Sequence, residues 1–361
     1  MAAESIDVKR YDRQIRLWGL ETQRGLQGSR VLLLGFNGTC NELLKNLVLA
    51  GVGHACVQDD QRVAAADLEA GGVFSLSAAQ LGANRAEAAV EQLKQMNPQV
   101  DLSALPTPLR EIDGALLKSY HFIIGTHGVE AVHALAWVED ALDAKEQAPP
   151  AKRAKPSATS AGSSSVRRTM GKHEVLPLRA RHTAAEFAPV LMAAGSVGMY
   201  GFCFFDVGCF TPSPSVAKAA ADASATQPAS ALLYPSIASA AGVEWAALTK
   251  RVPRFYCALQ LMVESADATP EELLEAKNRK LDAAGLKEDF LSLPLDDAFI
   301  KQVAQCKGVE LSPICAVLGG VVAAEVIKII GRKEVPLSNS FFFDGNSGEG
   351  VVLRLGPSFD A

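Results

Sequence analysis

The sequence predicts an α/β fold with a doubly wound sheet, and three observations carry this prediction. The apolar run at residues 30–35 does not alternate with polar residues, as in a parallel strand buried on both faces. A glycine turn and a helix over about residues 38–50 follow it directly. Strands then go on alternating with helices, which is the pattern of a doubly wound sheet.

The later elements follow in chain order. A second strand, at residues 54–60, ends in the acidic pair Asp59 and Asp60. An amphipathic helix over residues 82–98 is stopped by Pro98. Residues 121–126 form another buried strand, a helix follows it, and residues 188–208 predict two short strands. From residue 232 we expect a helical part over about residues 243–264, 270–284, 296–305 and 313–330, closed by strands in NSFFFDG and GVVLRLG.

Two low-complexity segments divide the chain. Residues 144–172 are rich in Ala, Ser, Pro and Lys without an apolar period, and we expect a disordered insert there. Residues 211–231 predict a low-complexity linker. The α/β domain therefore comprises an N-terminal part at 9–143 and a continuation at 183–210, and a helical segment at 232–356 returns the chain to it.

The composition narrows the possible functions. Of the 361 residues, 48% are hydrophobic, and the net charge of −5 argues against nucleic acid as the main partner. The apolar run at 314–324 is too short for a membrane span and meets Glu325, and the polar N-terminus lacks the apolar stretch of a signal peptide. We therefore expect neither nucleic acid nor a membrane as a partner.

The cysteines and histidines do not predict a metal site. The seven cysteines are scattered without a C-x-x-C pair, which favours reduced thiols in a cytosolic or nuclear protein. Cys315 lies in an apolar helix, and we interpret it as a core residue rather than a nucleophile. His121, His127 and His133 recur every six residues across a strand, a loop and a helix, which is not a metal-ligand spacing.

The glycine turn after the first strand is a candidate nucleotide site. Glycines in such a turn let the backbone approach a pyrophosphate, and the helix N-terminus offers free N–H groups. The pattern G-x-G-x-x-G, started at Gly35, has Asn37 and Cys40 in place of its second and third glycines, although Gly38 is present. Asp59 or Asp60 lies where a ribose-binding acid is expected. These residues fit both a working nucleotide site and a turn kept for packing.

Four motifs occur along the chain in this order: YDRQIRLWGLETQRGLQGSRVLLLG, GANRAEAA, SVGMYGFCFFDVG, and SPICAVLGGVVAAEVIKII followed by FFFDG. Together they resemble the adenylation domains of enzymes that activate ubiquitin-like proteins, the ThiF/MoeB-like superfamily. GANRAEAA is similar in particular to the smaller subunit of SUMO-activating heterodimers. The resemblance covers most of the chain except the two low-complexity segments, and it implies a Rossmann-like sheet.

The chain departs from this family's pattern where active members hold ATP and magnesium. No Arg-Gln follows Asp67, and HGVEAV stands in place of D-N-V-x-A-R. A glycine gives magnesium no ligand, and a histidine is a poor substitute for a carboxylate. We expect Gly35, Gly38 and Asp59 to form a degenerate nucleotide site that is empty, so that this chain binds no cofactor. The replaced positions are Asn37, Cys40, Arg85, His127, Gly128 and Val132.

The resemblance implies the regulatory subunit of a SUMO-activating heterodimer. ATP and Mg would then be bound by the catalytic large subunit, which adenylates the SUMO carboxylate and carries the thioester cysteine. Arg13 is expected to reach the partner-bound ATP, with Arg16 as the second choice, because a guanidinium is forked and stays charged. Without the resemblance, both would be surface charges on an N-terminal helix. The basic cluster at 151–155 is compatible with import into the nucleus, so we expect the nucleus as well as the cytoplasm.

Three other functions stay open on the sequence. A stand-alone carboxylate-adenylating enzyme of the sulfur-carrier type needs the Asp, Arg and Lys that are missing. A nicotinamide-dependent dehydrogenase needs an intact loop and a catalytic His, Lys or Tyr constellation. A regulatory subunit of the neddylation-activating enzyme shares the YDRQ-x-RLWG opening but carries a larger insert.

Overall fold

The computed structural model describes residues 6–68, 73, 75–143, 188–213 and 232–357. The expected insert at 144–172, with its basic cluster at 151–155, lies outside the described residues, as do residues 214–231 of the expected linker and residues 183–187 of the expected domain continuation. Those expectations therefore stay predictions.

An eight-stranded sheet with the order β10-β9-β6-β5-β4-β1-β2-β3 forms the centre of the fold. The first five strands pair in parallel, and β6, β9 and β10 add an antiparallel edge. This confirms the doubly wound α/β prediction. The strands are β1 (Arg30–Leu34), β2 (His54–Gln58), β3 (Asp101–Leu105), β4 (Phe122–Gly125), β5 (Val190–Val197), β6 (Tyr200–Asp206), β7 (Cys209–Phe210), β8 (Leu232–Leu233), β9 (Ser340–Asp344) and β10 (Glu349–Leu353), with β7 and β8 forming a separate two-stranded sheet.

Helices cover both faces of the large sheet. The described helices are α1 (Asp12–Trp18), α2 (Leu20–Gln27), α3 (Gly38–Ala50), α4 (Arg85–Leu93), α5 (Gly114–Lys118), α6 (Glu130–Asp143), α7 (Ile237–Ala241), α8 (Arg254–Glu264), α9 (Pro270–Ala284), α10 (Asp297–Gln305) and α11 (Ser312–Gly331). Helices α3, α4 and α11 pack on one face, and α5, α6 and α7 to α10 belong to the core on the other.

Strand β1 shows why the sheet is buried on both sides. Val31 and Leu33 lie in the core under α3, whereas Leu32 and Leu34 lie in the opposite core. Successive side chains of a strand point to opposite faces, so an unbroken apolar run fills both layers. The strand ends at Leu34, and the turn at Gly35 leads directly into α3.

Helix α11 packs against α3 and the sheet. A Cβ added at Gly319 would lie 2.7 Å from the backbone nitrogen of Leu43, so the two helices touch where α11 has no side chain. Among the described helices, α11 alone is long and apolar enough to cross a membrane, with a mean hydropathy of 2.1. Its buried Glu325 accepts hydrogen bonds from Lys328 and from the backbone of Leu337, which is the environment of a core helix.

The secondary-structure predictions differ from the structure in three places. The expected helix at 243–264 is instead a short 3₁₀ turn at Trp245–Ala247 followed by α8. Helix α8 begins only after Pro253, because a proline has no N–H to continue a helix across it. The amphipathic helix expected at 82–98 is shortened to α4, since Asn84 caps its start. Strand β3 was missed, because it is an edge strand of which only Leu102 is buried.

Candidate functional site

A cavity of about 460 Å³ opens at the carboxyl ends of β1, β2 and β4. The strand order reverses between β1 and β4, and open α/β sheets bind ligands at such a switch point. The cavity is therefore the position at which a nucleotide would bind in this fold. Its lining includes Gly35, Gln58, Asp59, Arg85, His127 and Glu130.

Gly35 makes the turn at the mouth of this cavity. Its φ of +81° lies in the left-handed region, and its N–H donates to the carbonyl of Gln58 at 2.8 Å. An added Cβ would lie 3.0 Å from the Cβ of His127. A glycine is thus required by the backbone of the turn itself, and no ligand is needed to explain it.

The N-terminus of α3 is capped by groups from within the chain. The side-chain oxygen of Asn37 accepts from the N–H of Cys40 at 2.8 Å, and its amide donates to the carbonyl of Thr126 at 2.6 Å. A carboxylate oxygen of Glu310 accepts from the N–H of Gly38 at 2.7 Å, and the Thr39 hydroxyl donates to its other oxygen at 3.3 Å. The first N–H groups of a helix are the donors that would bind a phosphate. Here the N–H groups of Gly38 and Cys40 already have acceptors in the protein.

Asp59 is buried and fully hydrogen-bonded. It accepts from the N–H groups of Phe36, at 2.6 Å, and Gln61, at 2.8 Å. The Arg85 guanidinium donates to it twice, through Nη2 at 2.7 Å and Nε at 3.0 Å, and also contacts Asp67 at 3.3 Å. Asp59 is only 3% exposed. The acid expected to bind a ribose is instead a buried anchor between the glycine turn and α4.

The loop after β4 lacks magnesium ligands at the family positions. His127 and Glu130 are about half exposed and lie 3.6 Å apart, between Nε2 and a carboxylate oxygen. Gly128 packs against β5, where a Cβ added at Gly195 would meet the Gly128 backbone at 2.7 Å. Val132 is buried in the core. Within the described residues there is no cluster of three or more His, Cys, Asp or Glu that could hold a metal ion.

The structure places Arg13 and Arg16 away from this cavity. The Tyr11 ring packs against Gly51, and Gln14 donates to the carbonyl of Leu49 at 3.2 Å, so α1 lies beside the far end of α3. Because α3 has 13 residues, about 20 Å separates its two ends. Arg13 is exposed, and Arg16 pairs with Asp12 at 3.1 Å while staying 78% exposed. Neither arginine is brought together with Gly35 or Asp59.

The buried cysteines are poor nucleophiles. Cys315 is fully buried, and its Sγ lies 3.8 Å from the Ser196 hydroxyl. Burial raises the pKa of Cys315 and of Cys40 to about 12, and it also raises the pKa of Cys203 and Cys257. A thiol with such a pKa contains almost no thiolate at neutral pH. The interpretation of Cys315 as a core residue agrees with its position.

Comparison with known protein families identifies the family of this chain. The sequence profile of the ThiF family matches residues 11–358. The chain belongs to the ThiF family. The match includes the glycine turn, the Asp59 strand end and α11, so these features are parts of one ThiF-type fold.

Two similar proteins match this chain over nearly their whole length. SUMO-activating enzyme subunit 1 of Homo sapiens is 29% identical, and the similarity covers 97% of this chain and 96% of that protein. The protein of the same name from Rattus norvegicus is 28% identical over 97% of this chain and 95% of its own length. Among solved structures, E. coli MccB in complex with MccA-N7isoASN matches with a TM-score of 0.50 and 14% identity, covering 99% of this chain and 74% of that one. At this identity the match supports the fold alone.

Sequence reasoning missed two partners in this site. Arg85 was recognised only as a replacement for the family's lysine, and its pairing with Asp59 was not predicted. Glu310 was not considered, because it lies 272 residues from Gly38 in sequence. No local pattern marks such a contact.

Proposed function

We propose that this chain is the regulatory subunit of a SUMO-activating heterodimer. Membership of the ThiF family and full-length similarity to SUMO-activating enzyme subunit 1 support the proposal. Its obligate partner would be the catalytic large subunit, and SUMO would be engaged through the complex. The reaction of the pair is the attack of the SUMO C-terminal carboxylate on ATP, which forms an acyl-adenylate and releases pyrophosphate.

One observation supports the regulatory role: at the nucleotide position, the groups that would bind a nucleotide are hydrogen-bonded to other residues of this chain. The N–H groups at the start of α3 are bound by Asn37 and Glu310, and Asp59 is bound by Arg85 and two backbone N–H groups. A phosphate would have to displace Glu310 from the α3 N–H groups, and a ribose hydroxyl would have to displace donors that already bind Asp59. ATP and Mg are therefore assigned to the partner, and Gly35, Gly38 and Asp59 to a degenerate site that is empty.

The acyl-transfer cysteine is assigned to the partner as well. A thioester forms by attack of a thiolate on the adenylate, with AMP as the leaving group, so the thiol must be accessible and partly ionised. Cys40, Cys203, Cys257 and Cys315 are buried in the core with raised pKa values. These four cysteines meet neither requirement.

Arg13 is the group through which this chain would act on the partner's ATP. Its side chain is exposed on a helix far from its own cavity, so any phosphate that it contacts belongs to another molecule. A guanidinium stabilises the charge that develops as pyrophosphate leaves. Arg16 is second, because it already pairs with Asp12. Localisation in the nucleus and cytoplasm is proposed from the sequence alone.

The decisive experiment is SUMO-dependent ATP–pyrophosphate exchange. The chain would be assayed alone, with the large subunit of a SUMO-activating enzyme, and with the large subunit of a neddylation-activating enzyme. We expect exchange only with the SUMO partner, and co-elution with it on gel filtration. Exchange by the chain alone would establish a stand-alone adenylating enzyme instead. Assembly and exchange with the neddylation partner would assign the chain to that pathway.

A further inference from the structure

Glu310 occupies the anion position of the glycine turn. It lies in the loop between α10 and α11, only partly exposed, and its carboxylate faces the N-terminus of α3. One oxygen accepts from the N–H of Gly38 at 2.7 Å, and the other lies 3.3 Å from the Thr39 hydroxyl. A backbone N–H and a hydroxyl at a helix start are donors that a phosphate takes in such folds.

Burial disfavours the charged form of Glu310, and its hydrogen bonds offset part of that effect. Burial raises the pKa of the Glu310 carboxyl, and the hydrogen bonds from Gly38 and Thr39 together with His127 oppose that rise. A negative group at a helix N-terminus is stabilised by the helix dipole and by charge-assisted hydrogen bonds. The donors that hold the Glu310 carboxylate are therefore of the kind that would stabilise a bound anion.

The loop that carries Glu310 is held in place on both sides. The carbonyl of Val309 accepts from the N–H of Gly198 in the β5–β6 turn at 2.9 Å. On the other side, a Cβ added at Gly38 would lie 3.0 Å from the Sγ of Cys315 in α11 and 3.1 Å from Glu310 itself. Little room is left between the glycine turn and this loop. A phosphate could not bind here beside the carboxylate.

We infer that Glu310 is an internal anion that takes the place of phosphate and closes the glycine turn of this chain. This contact prevents other anions from binding. The Gly38 and Thr39 donors are intact, but a side chain of the protein itself, Glu310, occupies them. Removing the carboxylate should uncover an anion site. The inference rests on the proposed function, in which this chain binds no ATP. Glu310 would be one reason why ATP does not bind, and a mutation can remove it.

The test is a phosphate titration of the full-length chain, followed through the assigned backbone amide resonances of Gly38 and Thr39. Inorganic phosphate would be added against chloride at equal ionic strength. In the wild type we expect no saturable shift of either resonance. In Glu310→Ala we expect a saturable shift of both, with millimolar affinity, and a lower Tm because the helix loses its acceptor. Glu310→Gln keeps the volume and an acceptor oxygen, so its response should lie between the two.

Glu130→Ala is the matched control, because it removes one exposed negative charge from the cavity that Gly35 also lines, and Glu130 does not contact the α3 donors. It should behave as the wild type. An equal response in Glu130→Ala and Glu310→Ala, or no response in a folded Glu310→Ala, would overturn the inference. If Glu310→Ala does not fold, equal responses of Glu310→Gln and the wild type overturn it. Tight ATP binding by the wild type would instead contradict the proposed function.

Discussion

At the scale of single residues, Asp59 lies where a ribose-binding acid is expected, but in this structure it forms a buried ion pair with Arg85. Both side chains are nearly buried, at 2% and 11% exposure. Breaking a buried ion pair leaves one charge without its partner, which costs more than the pair contributed. The pair therefore contributes to the stability of the α/β part from within the lining of the cavity.

Arg85→Ala should lower the free energy of unfolding by about 3–5 kcal/mol, because the Asp59 carboxylate stays buried without its counter-charge. Urea denaturation of the full chain measures this. Arg62→Ala is the control: Arg62 is exposed, and among the described residues its side chain donates only to the carbonyl of Gly82, so its removal should cost at most about 0.5 kcal/mol. Asp59→Asn in the Arg85→Ala background should recover part of the loss. No recovery would mean that packing, rather than buried charge, explains the effect.

Arg13 carries the residue-scale prediction for activity. In the heterodimer, Arg13→Ala should slow single-turnover formation of the SUMO adenylate roughly ten- to a thousandfold, by analogy with the loss of one transition-state donor. Arg13→Lys should recover only part of the rate, since a point charge replaces a fork. Arg279→Ala removes an exposed arginine from α9 and should leave the rate unchanged. Unchanged rates in Arg13→Ala, with an intact dimer on gel filtration, would mean that Arg13 is a surface charge without a role in the reaction.

At the scale of elements, the contact between α11 and α3 shows how a glycine lets two helices pack closely. Gly319 faces the backbone of α3, whereas Gly320, one position on, has no heavy atom within 4 Å of an added Cβ. The two neighbouring glycines therefore have opposite roles. Gly319 permits the close approach, and Gly320 only lowers helix propensity.

Gly319→Ala should therefore reduce the free energy of unfolding by about 1–3 kcal/mol, because the methyl group forces two well-packed helices apart. Gly320→Ala makes the same chemical change on the same helix and should be neutral or stabilising by up to about 1 kcal/mol. Thermal and urea denaturation of the two variants give the comparison. A loss of similar size in both variants would show that the helices do not meet at Gly319.

At the scale of the whole molecule, the fold keeps the shape of an adenylation domain while its nucleotide position is filled by its own side chains. With partner, SUMO and ATP present, we expect a DTT-sensitive SUMO adduct on the partner and none on this chain. Non-reducing gels with mass spectrometry of both subunits measure this. The partly exposed Cys209 and Cys306 are the positions to inspect first. A thioester mapped to either would contradict the assignment of the acyl-transfer cysteine.

The sequence alone determined the fold class and the positions of most elements. The apolar runs of β1 and β4 and the amphipathic α9 depend on neighbouring residues, so local patterns suffice to find them. The same holds for the glycine turn, where Gly35 needs a positive φ. Local patterns failed where a single residue overrides periodicity, as Pro253 does at α8, and where an edge strand buries little, as β3 does.

Only the tertiary structure decided how the nucleotide position is filled. The sequence showed which family residues were replaced, but it could not show that Arg85 pairs with Asp59 or that Glu310 caps Gly38. Those contacts join segments 26 and 272 residues apart, and they exist only because the sheet brings the ends of β1, β2 and the α10–α11 loop together. Hydrogen bonding requires atoms within about 3 Å, and separation along the chain does not determine that distance.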